Sequence, residues 1–171
     1  MGMTDVETSK INYDTGIKIG SDEAPVKVVE YINVRCPFCR QWSDEKNDLL
    51  QQLVAEGKIQ RIIKLFDKEK PSLALGNIMH HHIPTDENAI VAIQAIYETQ
   101  DDWGNLDSHE EVALYATEKL QLTLQDYKET AESIVQETID ANVFFVPTVI
   151  IGEHVVDQKI SNDELLALIN E

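Results

Sequence analysis

The chain has 171 residues, 43% of them hydrophobic, which suits one compact domain with a sizeable core. Its 14 Lys and Arg face 31 Asp and Glu, and a net charge of −17 repels phosphate backbones and anionic lipid surfaces, so neither is expected as a partner. The polar, acidic start lacks a basic segment followed by an apolar one, and no run of about 18 apolar residues occurs, so the expectation is a cytoplasmic protein without a membrane span, or an exported one if a leader has been cut away.

Residues 1 to about 24 read as a loose lead-in with turns at Gly16, Gly20 and Ser21–Glu23, and one possible short strand near Ile17–Ile19. Val26–Val34 is rich in β-branched and aromatic residues and predicts a strand buried on both faces. From Pro37 the apolar spacing turns helical through Trp42, Leu49, Leu50, Leu53 and Val54, with Gly57 as the stop. Lys58–Phe66 predicts a second strand, and the β-α-β order makes the two strands parallel neighbours.

The block from about Pro71 to Val143 has no strand pattern. One helix opens at Thr85–Asn88 and carries Ile90, Ile93, Ile96 and Tyr97, and a loop holding Trp103, Gly104 and Asn105 follows. A capping box at Ser108–Glu111 starts the next helix, and Thr123–Asp126 a third, through Ile134, Val135 and Ile139. Val143–Ile151 predicts a strand, and Gly152–Glu153 a two-residue turn into His154–Asp157. A last capping box, Ser161–Glu164, leads into a short amphipathic helix. The expected architecture is α/β: a mixed sheet flanked by helices, with the sheet core at about 24–68 and 143–171 and an all-helical insertion at about 70–142.

Cys36 and Cys39 are the only cysteines, so a disulfide framework is excluded and redox or metal chemistry is expected. Pro37 suits the first turn of a helix, which puts Cys36 at its N-terminus. The free N–H groups and partial positive charge there stabilise a thiolate. Arg35 and Arg40 add positive charge if their side chains turn that way. Cys39 lies one turn deeper and should be shielded. Cys36 is then the attacking sulfur and Cys39 the one that resolves a mixed disulfide. Glu30, in the strand below, is either a buried carboxylate relaying a proton for Cys39 or a residue reaching solvent or a lysine. Pro147 interrupts a strand-like run. Trans is the default for its peptide bond, whereas a cis bond would turn the chain beside the cysteines and leave the Val146 backbone free for an extended substrate.

Together Ala24-Pro25-Val26, Val28-Val29-Glu30-Tyr31, Cys36-Pro37-Phe38-Cys39, the helical block, Val146-Pro147-Thr148 and the final helix resemble the DsbA-like thiol–disulfide oxidoreductases of the thioredoxin superfamily. The resemblance implies a thioredoxin-like sheet with a helical insertion, a nucleophile at Cys36, a resolving Cys39, a cis Pro147 facing them, and a buried acid at Glu30. Phe38 beside the exposed cysteine offers an apolar docking surface, and substrate contacts are expected from Pro37, Phe38, Val146, Pro147 and Thr148, with protein thiols and disulfides as substrates, a redox recycling partner, and no bound cofactor or metal. Strongly oxidising members carry His as the third motif residue. Phe38 stands there in this chain and cannot donate a hydrogen bond to the thiolate, so a less oxidising couple is expected. The rival reading is a non-enzymatic zinc- or client-binding module, with His80-His81-His82 as further zinc ligands.

Overall fold

The computed structural model describes residues 5–171; residues 1–4, on which the reading of the chain start partly rests, lie outside them. Five strands form one mixed sheet: β1 (Ile17–Ile19), β2 (Val26–Ile32), β3 (Ile59–Leu65), β4 (Thr148–Ile151) and β5 (His154–Val156), in the order β1-β3-β2-β4-β5. β2 and β3 are parallel, as the β-α-β order requires, and the other pairings are antiparallel. Every β3 residue from Ile59 to Lys64 is buried, Gln60, Arg61 and Lys64 among them, so both faces of the strand are covered although its sequence is mixed. The sheet begins at Ile17, ahead of the expected core boundary at residue 24.

Between β2 and β3 runs α1 (Pro37–Ala55), with Cys36 as N-cap and Pro37 as first residue. Its C-terminus closes as expected: Gly57 takes φ +74°, and its N–H and that of Lys58 turn back to the carbonyls of Val54 and Leu53. α1 packs Trp42, Leu50 and Leu53 on one face of the sheet beside α7 (Asn162–Ile169), against Val28, Ile59, Val149 and Ile151. The opposite face, with Val29, Tyr31, Ile62 and Ile150, is covered by Ile134 and Ala141 of α6 (Lys128–Ala141). Period-2 alternation thus sends neighbouring strand residues into two different cores.

The insertion is helical, in more pieces than the pattern suggested. It comprises α2 (Ala74–His80), α3 (Asn88–Glu98), α4 (Gln100–Trp103) and α5 (His109–Leu114), which runs into a wider turn at Tyr115–Lys119. Ser108 and Ser161 cap α5 and α7 by accepting from the N–H of Glu111 and Glu164. Three expectations are corrected. Trp103 closes α4 and is fully buried rather than lying in a loop, because its indole N–H donates to the Ile96 carbonyl. The helix expected from Thr123 starts at Lys128, since Gln125 donates its N–H to His81 instead of entering a helix. The strand expected from Val143 starts at Thr148, because the Val146–Pro147 bond is cis and the chain turns there.

α2 lies directly on the turn after β2. A Cβ built on Gly76 would come within 2.1 Å of Asn33 Oδ1 and 2.9 Å of the Arg35 nitrogen and Cβ, so any side chain there would displace the Asn33 amide or the Arg35 main chain.

Candidate active site

β2 ends at the sheet's carboxyl edge, and the turn Asn33–Arg35 hands the chain to α1. Cys36, at φ −72° and ψ 124°, is extended as an N-cap should be. Its thiol is drawn down to about 6: the Cys39 thiol's hydrogen bond is the largest cause, partial burial opposes it, and the N–H groups of Cys39 and Phe38 and the charge of Lys70 assist. At neutral pH this sulfur is a thiolate. Cys39 is fully buried, and burial, then the hydrogen bond and charge of Cys36, push its thiol well above the ordinary value. The Asn33 N–H donates to its sulfur at 3.5 Å. Both cysteines are free thiols.

Opposite them lies the segment before β4. Cys36 Sγ is 3.6 Å from the Val146 carbonyl oxygen, and the bond from Val146 to Pro147 is cis. Phe38, on the first turn of α1, and Phe145, beside Val146, are each more than half exposed, at 54% and 52%. Thr148 is buried, and its hydroxyl donates to the Phe145 carbonyl. Lys68 donates to the Phe144 carbonyl and pins the same segment.

Two expected supports act differently. Arg40 lies 3.8 Å from Asp44 and 3.6 Å from Asp101, which neutralise it. The Arg35 side chain runs against Gly104 at the end of α4. The cation that favours the Cys36 thiolate is Lys70, from the segment after β3. Glu30 is buried, as one of its two readings required, but its partner is an arginine. Arg61 donates to both carboxylate oxygens at 2.7 and 2.8 Å, and the Trp42 indole N–H donates to one at 2.8 Å. Arg61 also donates to Asn47 and Gln51, so the cluster ties the sheet to α1, the cysteine helix.

The three histidines do not gather towards the sulfurs. His80 and His81 both bond Asp67, at 2.8 and 2.7 Å, and His82 bonds the Ile78 carbonyl. No cluster of His, Cys, Asp and Glu suited to a metal ion occurs among the described residues.

A thioredoxin family model matches residues 12–171 of the chain. The chain belongs to the thioredoxin family. A conserved protein of unknown function from Enterococcus faecalis V583 is 46% identical, with 100% of this chain and 98% of that one covered, at a TM-score of 0.97. DsbA of Chlamydia trachomatis shares the fold at TM-score 0.71 and 16% identity, covering 94% of this chain and 93% of its own. BdbD of Bacillus subtilis does so at 0.66 and 15%, covering 97% and 94%. Probable disulfide bond formation protein D of Bacillus cereus is 41% identical over 49 residues, a match spanning 28% of this chain and 23% of that protein. Its thioredoxin-like fold with a helical insertion is thus the one these DsbA-like structures share. No helix among the described residues is long and apolar enough to cross a membrane.

For this thioredoxin-family protein, sequence reasoning missed Lys68, Lys70 and Phe145. All three could have been found from topology. Parallel strands end at the same sheet edge, so the residues just after β3 lie beside those just after β2. Phe145 directly precedes the residue whose carbonyl faces Cys36. Asn33, His80 and Gln100, which hold the turn before Cys36, carry no such signal.

Proposed function

We propose that the protein exchanges a dithiol for a disulfide with protein substrates. The Cys36 thiolate attacks one sulfur of a substrate disulfide, forming a mixed disulfide and expelling the other sulfur as a thiolate. Cys39 then loses its proton and attacks Cys36. The substrate's second sulfur leaves with the bonding pair and takes up a proton, and the enzyme is left oxidised. The reverse sequence oxidises a substrate dithiol. The observation that carries this reading is the unequal pair: an ionised sulfur at the α1 N-terminus, 3.6 Å from the Val146 carbonyl, above a shielded neutral thiol.

Phe38 and Phe145 form the apolar lips that receive the substrate, with Pro37, Val146, Pro147 and Thr148 contributing main-chain and ring surface between them. Glu30 acts through Arg61 and Trp42 to hold α1, rather than by touching a reacting atom, because both its oxygens already accept hydrogen bonds. Phe38 offers the thiolate no side-chain donor, which favours a less oxidising couple. The redox poise of the compartment and of the recycling partner then sets the direction of flow.

An insulin-reduction assay with dithiothreitol tests the proposal. The Cys36→Ser variant should fall to the uncatalysed rate, and Cys39→Ser should accumulate a mixed disulfide visible by mass. Equal rates for wild type and Cys36→Ser would remove the reading.

A further inference from the structure

The turn that delivers Cys36 is held from outside. Within it, the Asn33 side chain accepts from the Arg35 N–H at 2.9 Å, and the Cys36 N–H bonds the Asn33 carbonyl at 3.0 Å. The polar groups of Val34 go elsewhere. Its N–H donates to His80 Nε2 at 3.1 Å, and its carbonyl accepts from Gln100 Nε2 at 2.7 Å. The same Gln100 amide reaches the Cys36 carbonyl at 3.4 Å. His80 ends α2 and Gln100 begins α4; both are buried, at 4% and 2% exposure. The helical insertion therefore clamps the main chain of the residues leading to the nucleophile.

The identity of the donor fixes the state of the ring. A backbone N–H can only donate, so Nε2 of His80 carries the lone pair and the proton is on Nδ1. That proton is given to Asp67 at 2.8 Å, and the other Asp67 oxygen bonds His81, whose ring stacks on Tyr127 at 3.5 Å between centroids. A second proton on His80 would set two N–H groups against each other.

We propose that neutral His80 and Gln100 are positioning residues for thiol exchange, holding the Val34–Cys36 main chain so that the α1 N–H donors stay aimed at the Cys36 sulfur. This rests on the exchange reading above. Burial lowers the proton affinity of His80, although Asp67 opposes this. The titratable groups facing His80 are Asp67 from the segment after β3, His81 from its own chain end, and Asp126 and Tyr127 across a cavity of about 340 Å³ that it lines.

The test uses the full chain and reads Cys36 without needing a substrate. Alkylation of Cys36 by iodoacetamide is followed by mass against pH for wild type, His80→Phe, His80→Gln and Gln100→Leu, with thermal melts as the folding control. In His80→Phe the acceptor is gone, so the Cys36 titration should move up by about one unit, with about tenfold less thiolate at acid pH. Gln100→Leu should move it in the same direction. His80→Gln presents an oxygen to Val34 and should restore the wild-type midpoint. It should also remove the extra steepness at the acid end that a second titrating group gives wild type. Long-range proton–nitrogen spectra of wild type should show the His80 proton on Nδ1. Folded His80→Phe with a wild-type Cys36 profile overturns the proposal, and so does a ring protonated on Nε2. If His80→Phe does not fold, the tautomer and the Gln variant decide. Loss of the exchange reading would appear as wild type that does not turn over insulin, which leaves these titrations readable.

Discussion

Strand β3 carries two buried cations three residues apart, and they face opposite layers of the molecule. Arg61 points towards α1, where it is bound by Glu30, Asn47 and Gln51. Lys64 points towards α6, where Glu137 holds it at 2.5 Å together with the carbonyl of Asn12, and Glu137 also accepts from Tyr31. Both pairs are nearly inaccessible, at 4% and 2% exposure for Arg61 and Glu30, and 0% and 5% for Lys64 and Glu137. Their chemistry is alike, but their positions differ. The first cluster sits under the helix that carries both cysteines and engages Trp42 of that helix. The second fastens the lead-in at Asn12 and α6 to the far side of the sheet. A buried ion pair is weak evidence for stability by itself, because desolvation offsets attraction, but removing one partner is costly. What the pair is attached to decides whether it bears on the sulfur chemistry.

The largest effect separates the two faces. Glu137→Leu leaves Lys64 buried and unpaired and should cost about 3–5 kcal/mol in urea unfolding, with the Cys36 titration unmoved in the surviving folded protein. Arg61→Leu should cost a comparable amount, since it strands Glu30, and should also shift the Cys36 titration because α1 loses its anchor on the sheet. If both variants left Cys36 untouched, the division between the faces would fail. Replacing Glu30 and Arg61 together by leucine should recover most of the lost stability but not the titration.

A second test concerns the carboxylate just past the end of β3. Asp67 is held down to about 2: burial alone would raise it, but the hydrogen bonds from His80 and His81 prevail. Its folded value is depressed, so its contribution is fully present above about pH 4 and is lost as pH falls towards 2. The loss should be about 2 kcal/mol, and the stability curve of Asp67→Asn should be flatter over that window. Equal slopes for the two proteins would mean that the histidines do not hold it.

The smallest effect belongs to the α1 face. The Tyr97 hydroxyl is buried without a hydrogen-bond partner among the described residues, in a small cavity shared with Glu30, Trp42 and Arg61. Tyr97→Phe removes an unsatisfied group and should leave stability equal or raise it by about 1 kcal/mol. A clear loss would show that the hydroxyl is bonded, most simply through a water in that cavity.

Much of this arrangement could be read from the sequence, and what could be read was local. Cys36-Pro37 states an N-cap and a first helical residue in two letters. The capping boxes at Ser108 and Ser161 and the stop at Gly57 are equally short-range. Val26–Ile32 declares itself as a strand by its β-branched and aromatic run, and Ile59–Leu65 by its alternation. The less readable parts depend on partners far away in the chain. That Glu30 meets Arg61 follows from register between β2 and β3, and that Lys70, not Arg35 or Arg40, favours the thiolate follows from which strand ends share an edge. The short α4 was hidden because four residues are too few to show a period. The coil at 121–127 was misread because its capping-like letters serve a contact with His81 instead.

The close approach at Gly76 limits how this molecule can move. At the joint between α2 and the turn, Gly76 is seated so closely on the Asn33 amide and the start of Arg35 that even a methyl group would collide. Asn77 and His80 of the same helix bond Asn33 and Val34, so α2 is fastened to the turn at three of its seven residues.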